Sequence, residues 1–468
     1  MGTEEMKKNG TMELFNSRFI PDGRGIDNIN KLTSHDDLNA MENNNKEEYK
    51  PYEHRNLQHP NSYFGAVVHI VKGSLGIGIL SVPRAFKTAG LLMGTLGTIF
   101  VGVLCTYNIH LLVRASHKIC QRTRTPSLGF AETIEYLFRH GRGPKWIAWW
   151  APFAKIFVEV ALSLTYYLSN AVYILLISES LVKVVSFYYP LEDIWSFYFK
   201  LISFVILSFL CQIRELKYLV PFSLTANLTL SITFGITLYY MIGAIKDVDI
   251  SDRNLFTGIA NVPSFLSTVL FSIEGIGTIM PVENSMKEPK FLGPVGVLNV
   301  AMFFVVSLYT AMGFFGYYAF GESTQAAITQ NLPDGGIPAQ IVQICISIAM
   351  LFSFMLVFYV PTEILWKRVG PKTPERWRNP VQVVLRVGTV GFVILLASLA
   401  GHNMDSMIDL TGAVFFSILG MLVPAVADVL VNWKDWGTCN YVIWKNVLLF
   451  VAFWFSFISG TTVAVRNL

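Results

Sequence analysis

The chain has 468 residues, of which 53% are hydrophobic and only 15% charged. Ordinary soluble domains carry roughly 25% charged residues, so this balance excludes a chain made mainly of soluble domains and marks a polytopic membrane protein. The net charge of +4 gives no reason to invoke nucleic acid, and the five scattered cysteines have neither metal nor disulfide-framework spacing.

Residues 1–60 are polar, rich in Asn, Asp, Glu and Lys, and contain no apolar run of signal-peptide length. They predict a disordered cytosolic tail, serving either as a docking site for a signalling partner or as a solvated leader. The remaining stretch, 61–468, predicts a transmembrane domain. Apolar segments long enough to cross ~30 Å of hydrocarbon are expected at Phe64 to Phe86, Leu91 to Val113, Ile147 to Val182 and Phe197 to Cys211. Further segments follow at Leu219 to Ile242, Val262 to Val282, Val295 to Phe320 and Ile337 to Trp366. Val381 to Leu399, Met407 to Leu430 and Tyr441 to Val465 bring the expected number to about eleven, an odd count that sends the two termini to opposite sides. Lysine and arginine concentrate between the second and third segments (Arg114, Lys118, Arg122, Arg124, Arg139) and between the eighth and ninth (Lys367, Arg368, Lys372, Arg376). Positive loops stay cytoplasmic, which puts the N-terminus in the cytosol and the C-terminus outside the cell or in a lumen. No GxxxxGK[ST], HExxH, GxSxG or paired CxxC motif occurs, so neither enzyme chemistry, a metal nor a cofactor is expected.

The first segment is poorly built as a simple anchor. Within HIVKGSLGIGILSVP (His69 to Pro83) it holds a histidine, a lysine, Gly73, Gly76, Gly78 and a proline, which predicts a helix that breaks. Backbone freed from helical pairing is tolerated at membrane depth only where protein or a water-filled cavity satisfies it, so the break implies a cavity. The sixth segment repeats the pattern in FSIEGIGTIMP (Phe271 to Pro281). Two five-helix units with corresponding breaks give an inverted repeat, because a unit with an odd number of spans must insert its second copy upside down. Facing half-helix ends suit a small zwitterion: amides near Gly76 to Ile79 for its carboxylate, carbonyls and Glu274 for its ammonium.

The expected substrate contacts are Gly73, Ser74, Gly76, Ile77, Gly78, Phe271 as an apolar lid, Ser272, Glu274 and Gly275, with Tyr166 and Asn170 facing them from the third segment. His69 either loads and releases a proton or only pins the break through a backbone carbonyl. Glu274 is a proton carrier or an ammonium contact, against the alternative of hydrogen bonding across the break. Lys72 partners a buried carboxylate or loose carbonyls. Lys155 with Glu159, and Glu179 with Lys183, are expected as helix-surface pairs, and Gly94 with Gly97 as packing glycines.

HIVKGSLGIGILSVP followed by AFKTAGL, and FSIEGIGTIMPVENSMK (Phe271 to Lys287), resemble the amino acid/auxin permease superfamily, within it the proton-coupled amino acid transporters of animals. The resemblance covers about Asn61 to the C-terminus. It implies an all-α, LeuT-like 5+5 inverted repeat with broken first and sixth helices. It also implies symport of protons with small neutral amino acids at the plasma membrane or on endosomes and lysosomes, with proton coupling at the histidine matching His69. Alternatives are a sodium-coupled or uncoupled carrier of the same fold, or an amino-acid-sensing receptor signalling through the tail.

Overall fold

In hydrocarbon a backbone can pair all its polar groups only within a helix or a closed barrel, and the regular elements of this chain, among the described residues, are all helical. The computed structural model describes residues 49–467 apart from Gln58, His59, Leu75, Leu191, Asp193, Asp247, Glu274 and Asp334. The expected tail up to residue 48, and Glu274 among the expected site residues, thus lie outside the described residues.

The first span is two helices, α1 (Tyr63–Ser74) and α2 (Ile77–Ala89), bent by 57° where they meet. Next come α3 (Leu91–Thr123), a short α4 (Phe130–His140), α5 (Ala151–Ser186), α6 (Ile194–Leu210) and α7 (Val220–Ile245). The second half begins with the sixth span, again divided, into α8 (Val262–Ile273) and α9 (Ile276–Asn284). It continues with α10 (Val297–Phe320), α11 (Ile337–Val369) and α12 (Arg378–Leu399). The tenth span starts as α13 (Met404–Leu410), loosens into two π-helical stretches over Thr411–Phe416 and Ile418–Leu422, and ends as α14 (Val423–Val431). The last span is α15 (Tyr441–Arg466).

Nine helices among the described residues are long and apolar enough to cross a membrane, and the bent pair makes a tenth. At 17 residues, α6 stands where the fourth span was expected and reaches about 25 Å. Two boundaries depart from expectation. The second span continues ten residues past Val113 to Thr123, and α4 is a separate helix inside what read as a plain basic loop. Its Phe130, Ile134 and Leu137 are buried and it packs on α5, an amphipathic element too short for a hydropathy scan to separate from its loop.

The halves meet through corresponding members. Spans one and six, two and seven (α3, α10), three and eight (α5, α11), and four and nine (α6, α12) each pack against one another, as expected of two units related by a pseudo-two-fold axis in the membrane plane. Small residues allow the close approaches: a Cβ at Gly94 would stand 2.6 Å from the Phe86 ring, and one at Gly97 2.6 Å from Phe265. Members of the pairs expected along α5 find partners elsewhere in the fold. Lys155 pairs with Glu135 of α4 at 2.7 Å, Glu159 with Arg368 at the end of α11, and Lys183 donates to the carbonyls of Gln330 and Leu332. None of the five cysteines is in a disulfide.

Candidate functional site

The two breaks lie side by side. α1 ends at Ser74 and α2 starts at Ile77, with Gly76 as its N-cap; α8 ends at Ile273 and α9 starts at Ile276, with Gly275 as its N-cap. Neither cap carries a side-chain hydrogen bond, so the first-turn amides of α2 and α9 have no side-chain acceptor from their caps. Glycine is required where the halves touch. A Cβ on Gly78 would lie 2.7 Å from both Cα and the carbonyl oxygen of Ser272, and a Cβ on Gly277 would overlap the Tyr166 hydroxyl. The glycines therefore serve two purposes, interrupting the helix and admitting its neighbour. On the opposite flank, Tyr309 of α10 donates to the Ser74 carbonyl at 2.5 Å and satisfies one group freed by the break.

Between the breaks is a cavity of about 150 Å³, room for a handful of water-sized groups at ~30 Å³ each. Gly73, Ser74, Gly76, Ile77, Gly78, Phe271, Ser272, Gly275 and Tyr166 of the expected set all line it. Thr165, Ser169, Tyr173 and Thr278 join them, and Leu162, Val357, Phe416 and Leu419 close the apolar side. Phe271 meets Phe416 edge-on with ring centroids 6.0 Å apart. No described lining residue is Asp, Glu, Lys, Arg or His.

Two expected residues stand apart from this wall. Asn170 is fully buried on the α5 face that carries Tyr166 and Tyr173, one turn from each, and both its amide atoms lack a hydrogen-bond partner among the described residues. His69 does not line the cavity; it lies on an exposed part of α1, as does Lys72, whose Nζ is 3.5 Å from Ser223 Oγ on α7. Phe416 and Leu419 escaped the sequence reading because they come from the π-helical part of the tenth span. Such bulges frequently mark functional sites, but nothing in the hydropathy pattern announces one.

Ionic clusters stand beyond the cavity on either side. Toward the end of α2, Arg84 forms a two-pronged bond with Asp409 (Nη1–Oδ1 2.9 Å, Nη2–Oδ2 3.1 Å) and pairs through Nε with Asp405 at 2.8 Å. Thr268 and Ser264 of α8 donate to the same Asp409 carboxylate at 2.6 and 2.5 Å. On the other side, Glu283 of α9 accepts from Arg55 and His117. The sequence reading singled out none of Arg84, Asp409, Arg55 or Glu283 for a role. A larger apolar groove of about 760 Å³ between α3 and α10 has exposed Val103 and Phe303 on its rim, the character of a lipid-facing surface rather than of an enclosed site.

A cavity between two interrupted spans of a 5+5 bundle defines the LeuT-like class of membrane transporter. The inward-facing structure of Mhp1 superposes with a TM-score of 0.54 at 12% identity, over 87% of this chain and 92% of that one. Residues 59–466 match the family model described as transmembrane amino acid transporter protein, and the chain belongs to that family. It is 35% identical over 423 residues to the proton-coupled amino acid transporter-like protein pathetic of Drosophila melanogaster, covering 90% of this chain and 88% of that protein. It is 25% identical over 398 residues to the probable amino acid transporter skat-1 of Caenorhabditis elegans, covering 80% and 82%. The chain is accordingly a multi-pass integral membrane amino acid transporter and not an enzyme.

Proposed function

We propose that the protein carries small neutral amino acids together with protons by alternating access. The observation that carries the reading is the cavity of about 150 Å³ with no charged side chain among its described lining residues. A zwitterion brings no net charge and needs no counter-ion there. Its carboxylate suits the amide ends of α2 and α9, its ammonium the carbonyl ends of α1 and α8. A cavity this small favours short side chains, with Phe271 and Phe416 as the apolar wall that limits them.

His69 and Glu274 are the proposed proton-coupling groups, and the printed name of the Drosophila relative, a proton-coupled transporter-like protein, supports this choice of ion over sodium. With the basic loops cytoplasmic, the tail and the end of α9 face the cytosol, while the Arg84 cluster closes the outer side. The plasma membrane or the endosomal and lysosomal membrane is the proposed residence. A signalling partner on the tail remains compatible with carriage.

Uptake into proteoliposomes under an imposed pH gradient, screened by competition over all amino acids, tests this reading. Accumulation of short neutral amino acids driven by the gradient is expected. Flux indifferent to pH but driven by sodium would replace the coupling ion, and no flux under any gradient would sink the carrier reading. His69→Ala is expected to flatten the pH dependence of uptake.

A further inference from the structure

Glu283 sits at the tail-side end of α9 and is only 1% exposed at its side chain. Both its oxygens accept from the single nitrogen Nη2 of Arg55 (Oε1 at 2.8 Å, Oε2 at 3.0 Å), and Oε1 takes a further bond from His117 Nε2 at 2.8 Å. Arg55 itself is 5% exposed and is further held by the carbonyls of Glu283 (2.7 Å), Met286 (3.0 Å) and Pro126 (3.1 Å). It comes from a short stretch around the single turn Pro51–His54, before the residues that the family model matches. Tyr52 of that turn reaches His117 Nε2 at 3.1 Å, and the Arg55 guanidinium lies 4.2 Å from the Tyr52 ring centre.

The stretch is thus a latch across the inner ends of α3 and α9, and its hold on the bundle centres on one buried carboxylate. α9 is nine residues long and carries cavity-lining Gly277 and Thr278 at one end and Glu283 near the other. An inner opening that moves α9 must part Glu283 from Arg55. A carboxylate left buried after losing its cation is costly, and it relieves that cost by taking a proton.

We propose that Glu283 is a proton-binding site of the inner gate, which exchanges Arg55 for a proton from the cytosol when residues 50–57 leave the inner face. The step forms one O–H bond on the carboxylate and frees the guanidinium to solvent, with no other reactant. Because Arg55 and the proton compete for one carboxylate, acidification on the tail side favours release of the latch, and release favours protonation, by the same factor. The ionisable groups around the cluster are Tyr49, Tyr52 and Arg55 from the tail side, and His117, Cys120 and Arg124 from α3 and its end. Burial, followed by the Glu283 carboxylate, pushes the Tyr52 phenol above its ordinary value, so it stays protonated throughout the acid range. His117 donates to the same carboxylate from α3 and so holds Glu283 in place. The inference rests on the alternating-access reading for its place in a cycle, but its test does not need transport.

Hydrogen exchange of the full-length protein in lipid nanodiscs, corrected for intrinsic exchange chemistry, is compared between about pH 8 and about pH 5. In the wild type, exchange of the amides in residues 52–57 should rise by about tenfold or more on acidification. Glu283→Gln should exchange rapidly there at both values, and Arg55→Ala, which alters no span, should do the same. Protection of the segment that ignores pH in the wild type overturns the proposal, as does a wild-type pH response in Glu283→Gln or a protected segment in Arg55→Ala. A wild type that passes this test yet moves no amino acid would remove the carrier reading and leave the proton site standing.

Discussion

Arg84 and Glu283 occupy equivalent places in the two halves of the molecule with opposite charge. Each stands seven residues beyond the start of its half-helix, Ile77 to Arg84 in α2 and Ile276 to Glu283 in α9, about 10 Å from the break. Inversion of one repeat sends them to opposite faces. Arg84 is held by carboxylates of the tenth span, Glu283 by Arg55 from the tail side and His117 of α3. The cavity lies between two such closures, and opening one side at a time is what alternating access requires.

The Arg84 closure can be separated from mere stabilisation. Arg84→Ala leaves Asp409 buried without its cation and is expected to cost about 3–5 kcal/mol of stability and to abolish net uptake. The double change Arg84→Met with Asp409→Leu should recover most of that stability, because an apolar pair of similar volume removes the desolvation penalty, while uptake stays impaired. Thermal unfolding and uptake measured on the same preparations check both halves; recovery of uptake in the double variant would remove the gate role.

Close contact at the breaks predicts a contrast between two glycines. Gly78→Ala places its methyl 2.7 Å from the Ser272 backbone, which cannot turn aside, and should destabilise by about 1–3 kcal/mol with loss of uptake. Gly275→Ala meets chiefly the Ser74 hydroxyl at 3.1 Å. That group can rotate, so the variant should fold normally and mainly raise KM, the new methyl standing beside the ligand.

Phe416 limits the cavity beside Phe271. Phe416→Ala should shift competition toward larger neutral amino acids such as leucine, by roughly tenfold or more relative to alanine, as expected when a pocket gains room for several methylenes. An unchanged order of preference would place the size limit elsewhere.

Asn170 keeps both amide atoms without a described partner although it is fully buried. Asn170→Leu removes the uncompensated polar group and should leave thermal stability unchanged or raise it, yet reduce uptake if the amide meets substrate. Full uptake in a stable variant would take Asn170 out of the site.

Hydropathy and glycine pattern were enough to read the spans, the two interrupted helices and their correspondence. Each of these is a local property: a span needs only apolar length, and a break only residues that cannot hold a helix. Gly78, Ser272 and their neighbours could thus be placed together from two motifs alone. The charge partnerships had no such signature. Arg84 and Asp409 are 325 positions apart, Arg55 and Glu283 228, and no periodicity in a sequence states which distant helices will meet. For the same reason His69, which sits within the most conspicuous motif, proves to lie off the cavity wall, while Phe416 and Leu419 reach it from the π-helical stretches of the tenth span. The sequence by itself determined where the helices must break. Tertiary packing decided which ionisable groups close the space between the breaks, because a buried charge is tolerated only where the fold brings its partner to it.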